Sequence, residues 1–314
     1  MKKFISYFKD FHRDYFSVSL YFLIALFIGV LIVFNYTFNF EKSVINSYYG
    51  KPVRMFYFFL YHAVAYYGVL LIIWIHDKNK IEFTRKFWIK SLIGMAILGI
   101  DRGVFPFISD LLISDVPTAT YRFYFKVLFN FYGFITIVLS LLLVKLIFDR
   151  KTGEGLYGLS LNKTNINAYF ILLAIMVPVV YIGTYLPGFL EYYPTYKRSG
   201  GFRFASFYNF SEWVSVVIFE FFYLIDFLNT ELLFRGFMVI GLSKLLGKNV
   251  VLPMAATYAV LHFGKPWGET VSSVFGGYLL GILALYSRNI WGGVFIHGGI
   301  ALLMELFAFL RQPG

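Results

Sequence analysis

The segment YFSVSLYFLIALFIGVLIVFNYTFNF, residues 15–40, contains no charged side chain. A helix needs about 20 apolar residues to cross the hydrocarbon core of a bilayer, because that core is roughly 30 Å thick and each residue rises about 1.5 Å. Only helices and closed barrels satisfy their backbone hydrogen bonds there. The segment is too long and too continuously apolar for a barrel strand, so it predicts a membrane-spanning helix.

Similar uncharged gaps recur along the chain, between Arg54 and Asp77, between Lys163 and Glu191, and between Glu269 and Arg288. Hydrophobic residues make up 59% of the 314 residues and charged residues only 14%, with a mean hydropathy of +0.69. A soluble domain would be about a quarter charged. The fold class predicted is therefore all-α: a polytopic transmembrane helical bundle of about eight or nine helices.

The predicted helices cover residues 16–38, 55–76, 87–103, 125–148, 166–187, 211–246, 249–263, 269–287 and 290–310. Segment 211–246 is too long for a simple span and is expected to be kinked or to project from the membrane. Segment 103–114 is expected to form a short re-entrant or interfacial piece.

Composition also excludes several classes of function. The chain has no cysteine, which excludes a disulfide framework, a thiol nucleophile and a thiolate metal site. The net charge of +11 comes from Lys and Arg side chains between apolar runs. These positions favour contact with the anionic headgroups of membrane lipids, and no nucleic-acid partner is expected.

Positive residues are more frequent on the side of the membrane that carries the N-terminus, which predicts a cytoplasmic N-terminus. We expect a multi-pass protein of a bacterial inner (cytoplasmic) membrane. Two parts are expected: N-terminal transmembrane helices in residues 1–164, and a transmembrane core in residues 165–314 that carries nearly all the intramembrane polar residues.

Ionisable residues at membrane depth are costly, so each is a candidate for function. Those of the C-terminal part are Glu220, Asp226, Glu231, Arg235, His262, His297 and Glu305. Glu231 and Arg235 are four residues apart and therefore share one helix face, where they can simply neutralise each other. A carboxylate and two histidines in one bundle can also form a general-base site, although single histidines are often structural.

At these residues the sequence resembles the CAAX protease and bacteriocin-processing (CPBP) family of intramembrane peptidases. Its first motif, Glu-Glu-x-x-x-Arg, is similar to residues 230–235, TELLFR; the second, an aromatic residue and then His four later, is similar to residues 258–262, YAVLH. The third, His-x-x-x-Asn, matches at His297. The resemblance covers about residues 155–310 and implies Glu231, Arg235, His262 and His297 as catalytic-site residues, without a metal.

Two positions depart from the family pattern, because Thr230 replaces the first Glu and Ala301 replaces the Asn. The resemblance implies that the Glu pair and first His activate water, and that the second His and Asn hold the oxyanion. Either Glu231 acts as the base alone, or the member is degenerate. Asp226 and Glu305 lie one helical turn from the vacant positions; the favoured interpretations are an interfacial charge and a helix-end charge.

The function predicted is an intramembrane endopeptidase that hydrolyses a peptide bond in a membrane-associated peptide or protein. One alternative is a catalytically degenerate scaffold or bacteriocin self-immunity protein. Another is a transporter, but the two halves of the chain differ in polarity, which argues against it. No cofactor is expected. Zinc, bound by Glu231, His262 and His297, is the minority hypothesis. The oligomeric state is left open.

Overall fold

The computed structural model describes residues 2–78, 81–150, 155–160 and 166–312, and over these ranges the chain is helical and forms no β-strand. The predicted all-α bundle is confirmed. Its helices are α1 Lys2–Tyr15, α2 Val18–Phe38, α3 Arg54–His76, α4 Arg85–Gly103, α5 Phe105–Ile113, α6 Thr118–Phe148, α7 Ile166–Gly183, α8 Phe189–Tyr192, α9 Gly201–Phe207, α10 Glu212–Glu231, α11 Ser243–Leu246, α12 Val251–Leu261, α13 Trp267–Ser287 and α14 Trp291–Arg311. Short 3₁₀ or π-helical turns lie at Glu41–Ile45, Asn46–Tyr48, Tyr196–Arg198, Leu232–Gly241 and Gly247–Val250.

Fewer helices than the eight or nine predicted have the length and apolarity of a membrane span. Five of the described helices do, namely α2, α3, α6, α13 and α14, and a sixth is added if α4 and α5, bent by 45°, form one span. Helix α12 has only 11 residues, and α10 carries four acidic side chains. The apolar side chains of α12 are buried by other helices rather than facing lipid, so it need not match the bilayer thickness.

Segment 211–246 is not one continuous α-helix. It consists of α10, a π-helical stretch from Leu232 to Gly241, and α11. The side chains of Leu232–Ile240 are buried, which excludes projection from the membrane. π-Helical turns are rare and often occur at functional sites. Glu231 is the last residue of α10, directly before this wide turn.

Helix α1 was not predicted as a separate element. Phe4, Phe11 and Tyr15 are buried on one face of it, whereas Lys2, Lys3, Lys9 and Arg13 are exposed on the other. The helix packs on α13, and Lys248 forms an ion pair with Asp14. Helix α1 is therefore amphipathic, with its apolar face packed against the bundle.

Both halves of the chain build the bundle interior. The short α12 packs against α3 as well as α13, and α10 packs against α6 as well as α14. The predicted division between residues 164 and 165, with the nearby Lys163, lies outside the described residues. N-terminal helices thus form walls around the C-terminal polar residues.

Candidate functional site

Glu231 and Arg235 form a buried ion pair. Glu231 Oε1 lies 2.9 Å from Arg235 Nη1, and the two side chains are 0% and 1% exposed. The Arg235 guanidinium also lies 4.1 Å from the centre of the Tyr258 ring, which adds a cation–π contact. Two such buried charges are tolerated because each compensates the other.

His297 connects this ion pair to α14. Its Nδ1 lies 3.2 Å from Glu231 Oε1, and its Nε2 lies 3.1 Å from the Tyr258 hydroxyl. A carboxylate only accepts, so Nδ1–H donates to Glu231 and Nε2 accepts from Tyr258. Helix α14 comes this close because residue 293 is glycine: a Cβ there would overlap the Glu231 carboxylate.

His262 directly follows the C-terminal end of α12, and its ring is held by a backbone carbonyl of the preceding helical turn. Its Nδ1 donates to the Tyr258 carbonyl oxygen at 2.9 Å. A neutral imidazole with its proton on Nδ1 keeps a lone pair on Nε2, so this atom can accept a proton. The His262 and His297 ring centres are 6.4 Å apart.

One cavity of about 50 Å³ contains both histidines in its wall, a volume that admits water. Its polar lining is Asp101, Arg102, Asp226, Thr230, His262, Lys265 and His297; its apolar lining is Leu98, Ile137, Phe227, Leu233, Phe234 and Leu261. Glu231 is not part of the lining and reaches the cavity only through His297. The structure therefore brings Glu231, Arg235 and both histidines together. Glu231 lies behind His297 and does not line the cavity.

Asp226 does not fit the interpretation as an interfacial charge, because it lines the cavity one turn before Thr230. Its carboxylate shares the space beside Gly133 with one polar group from α4 and one from α10 itself. The point where a Cβ on Gly133 would stand is 3.0 Å from Asp101 Oδ1, 3.5 Å from Asn229 Nδ2 and 3.8 Å from Asp226 Oδ1. The missing side chain at Gly133 thus leaves room for this polar cluster.

Glu305 has a structural role distant from the cavity. It accepts hydrogen bonds from the Thr195 backbone N–H and hydroxyl, both at 2.7 Å, and from the Tyr196 N–H at 3.2 Å. It therefore fixes the loop after α8 and does not replace the Asn missing at Ala301. Glu220 is also absent from the cavity lining.

Sequence reasoning missed the contribution of the N-terminal half. Asp101 and Arg102, at the end of α4, were not among the candidate residues, yet both line the cavity. Asn229 was also missed: it is fully buried, and neither its Nδ2 nor its Oδ1 has a hydrogen-bond partner among the described residues. Polar residues inside apolar runs were the available signal, but their convergence depends on tertiary packing.

The described part of the chain contains no ready set of metal ligands. No three His, Cys, Asp or Glu side chains there are grouped so that they could hold a metal ion. Glu231 Oε1, the obvious carboxylate, already contacts Arg235 and His297. The expectation of a metal-free site stays a prediction.

Comparison with known proteins gives one match. Neither the curated proteins nor the solved structures contain a significant match to the chain. Residues 211–303, from α10 into α14, match the family model described as "Type II CAAX prenyl endopeptidase Rce1-like". The match includes Glu231, Arg235, His262 and His297. The resemblance predicted from the three motifs is thereby confirmed over residues 211–303.

Proposed function

We propose that this protein is an intramembrane endopeptidase that hydrolyses a peptide bond in a membrane-associated peptide or protein. One observation carries the proposal: two histidines line one polar cavity, and one of them is held by a buried carboxylate. The family match supports a protease fold of the CAAX type.

In the proposed reaction, His262 Nε2 takes a proton from a cavity water as the water oxygen adds to the peptide carbonyl carbon. Before the attack, His297 takes up a proton from solvent on Nε2, which then donates to the tetrahedral oxyanion instead of accepting from Tyr258, and Glu231 stabilises the positive charge of the ring. When the C–N bond breaks, the leaving amine takes the proton from His262. Arg235 acts as a positioning residue, because it holds Glu231.

This assignment changes the role predicted for Glu231. Its Oε1 is shared by Arg235 and His297, and its carboxylate does not line the cavity. We therefore propose Glu231 as the partner of His297 and not as the base. Asp226, which lines the cavity and forms no ion pair with any described residue, supplies the second carboxylate in place of the one missing at Thr230. It accepts a hydrogen bond from the attacking water.

The substrate class follows from the surroundings. About half of the cavity wall is apolar, and the bundle is embedded in lipid, so a hydrophobic peptide segment is the proposed substrate. The matched family model is named for prenyl endopeptidases, and a prenylated C-terminal peptide is the competing substrate to be tested. We further propose a location in a bacterial inner membrane with a cytoplasmic N-terminus.

The test compares membranes from cells that produce the wild type, His262→Ala or Asp226→Asn, using mass spectrometry to find newly formed peptide termini. We expect termini that appear only with the wild type, and a fall of about 100-fold or more in their rate of formation for both variants. His76→Ala is the matched control, because His76 contacts Ser17 and Ser19 far from the cavity. Wild-type and His262→Ala membranes with identical termini would contradict the peptidase function.

The alternative of a degenerate scaffold or immunity protein rests on the two altered motif positions. Ala301 is buried on α14 and offers no hydrogen-bond donor from its side chain. If Glu231→Gln and His262→Ala both keep the biological effect of the wild type, binding rather than catalysis is the function.

A further inference from the structure

A second polar cavity lies at the opposite end of α4 from Asp101 and Arg102. Its volume is about 50 Å³, and its lining contains Lys86 and Lys90 from the start of α4 and Lys244 from α11. Lys145, in the last turn of α6, is next to it: its Nζ lies 5.7 Å from the centre of the Tyr157 ring, which lines the cavity. Three helices thus bring their lysines to one place.

A single carboxylate faces these lysines. Asp149 Oδ2 accepts from Lys90 Nζ at 2.6 Å and from the Tyr157 hydroxyl at 2.9 Å, while Asp149 Oδ1 lies 3.2 Å from Lys86 Nζ. Lys244 is exposed and has no ion pair in the described part of the chain. Among the described residues that line this cavity, three ammonium groups, of Lys86, Lys90 and Lys244, therefore face one carboxylate.

Such an excess of like charge raises the free energy of the bundle unless an anion binds there. Lysine ammonium groups are common ligands of phosphate. Basic pockets between transmembrane helices at the membrane surface are suited to the headgroups of anionic lipids. We propose that the cavity of Lys86, Lys90 and Lys244 binds the phosphate of an anionic phospholipid.

The surroundings favour a lipid over a soluble phosphate. Helix α4 begins and α6 ends at this cavity, so it lies at headgroup level. The outer surface of the last turns of α6 is apolar: Leu143 is 58% exposed and Ile147 70%. A lipid whose phosphate binds the lysines would have this apolar helix surface nearby for its acyl chains. One site thus offers both contacts that a phospholipid needs.

The experiment uses the full chain purified in a neutral detergent and titrated with short-chain phosphatidylglycerol or phosphatidylcholine. Binding is measured by native mass spectrometry. The Lys86→Gln, Lys244→Gln double variant leaves the Lys90–Asp149 pair intact, so the fold is expected to persist. We expect preference for phosphatidylglycerol in the wild type, and binding weakened by about tenfold or more in the double variant.

Lys42→Gln with Lys51→Gln is the matched control, because these exposed lysines lie at the other end of the bundle. Equal weakening in both double variants would mean that charge alone attracts the lipid, and it would overturn the site. Phosphatidylglycerol binding unchanged by Lys86→Gln and Lys244→Gln would do the same. Displacement of the lipid by equimolar inorganic phosphate would show that the cavity binds a soluble phosphate and would overturn the proposal of a lipid site.

Discussion

Glu231 is at the centre of the buried polar network, because its Oε1 serves both Arg235 and His297. Removing one partner of a buried ion pair leaves an uncompensated charge, whereas removing both is often neutral. We expect Glu231→Gln to lower the free energy of unfolding by about 3–5 kcal/mol. The double variant Glu231→Gln, Arg235→Met should recover most of this loss, as measured by thermal unfolding in detergent.

Activity separates a structural pair from a functional one. If Glu231 supports His297, the stable double variant should still have lost peptide cleavage. A double variant with wild-type cleavage would show that the ion pair serves stability alone and would contradict the role of Glu231 in the proposed reaction.

Ala301 offers a test by gain of activity. It lies one turn after His297, and removal of one oxyanion donor typically lowers kcat by about 10²–10³-fold. We expect Ala301→Asn to raise kcat for peptide cleavage by about tenfold or more, because its amide adds a donor next to His297. The control is Ala308→Asn, also buried on α14 but two turns further on. Equal kcat values in both variants would show that no oxyanion forms beside residue 301.

Local spacing made some of these residues predictable. Glu231 and Arg235 share a helix face whatever the rest of the chain does, and their contact follows from that. The contact between Glu231 and His297 joins residues 66 positions apart, and the approach of Asp101 to Asp226 depends on how α4 and α10 both pack against α6. Such contacts are set by tertiary packing, which one sequence without a structure does not specify.

Helix α14 depends on its glycines for its distance from α10 and α7. A Cβ on Gly293 would overlap the Glu231 carboxylate, and a Cβ on Gly292 would overlap the Tyr169 ring. Small residues at helix contacts allow backbones to approach closely. The close contact of His297 with Glu231 therefore depends on the glycines along this face of α14.

We expect Gly293→Ala to move α14 away from α10, lower stability by about 1–3 kcal/mol and reduce peptide cleavage. The matched control is Gly276→Ala on α13, where a Cβ would meet no atom within 4 Å. Thermal unfolding and cleavage rates of both variants check the prediction. A Gly293→Ala protein with wild-type stability and rate would show that α14 is not held at this distance.

Helices that consist of a long apolar run were predicted closely, because the charged residues on either side of the run mark its ends. Helix α3, Arg54–His76, was expected at 55–76, and α14, Trp291–Arg311, at 290–310. The π-helical stretch and the amphipathic α1 were not recognised. A π-helical turn has no distinctive spacing of apolar residues. The first 15 residues are too polar to be predicted as a membrane-spanning helix.

At the scale of the whole molecule, contacts between helix ends divide the bundle into two faces. Tyr36, near the end of α2, donates to the Lys265 carbonyl, so the loop before α13 lies at the same level as the end of α2. Lys248 pairs with Asp14 near the end of α1, just before α2 begins, so the loop before α12 lies at the opposite level. The cavity with His262 is near the first face, and the lysine cavity is at the second.

This division makes the predicted orientation testable, because the chain has no cysteine of its own. If the N-terminus is cytoplasmic, a single cysteine at Lys42→Cys should react with a membrane-impermeant maleimide in intact cells. Lys244→Cys should react only after permeabilisation, and both lysines are exposed. Since the cavity with His262 shares the face of Lys42, that result would make exported peptides the accessible substrates of the proposed peptidase. The reverse labelling pattern would contradict the orientation inferred from the Lys and Arg distribution and would turn the cavity toward cytoplasmic substrates.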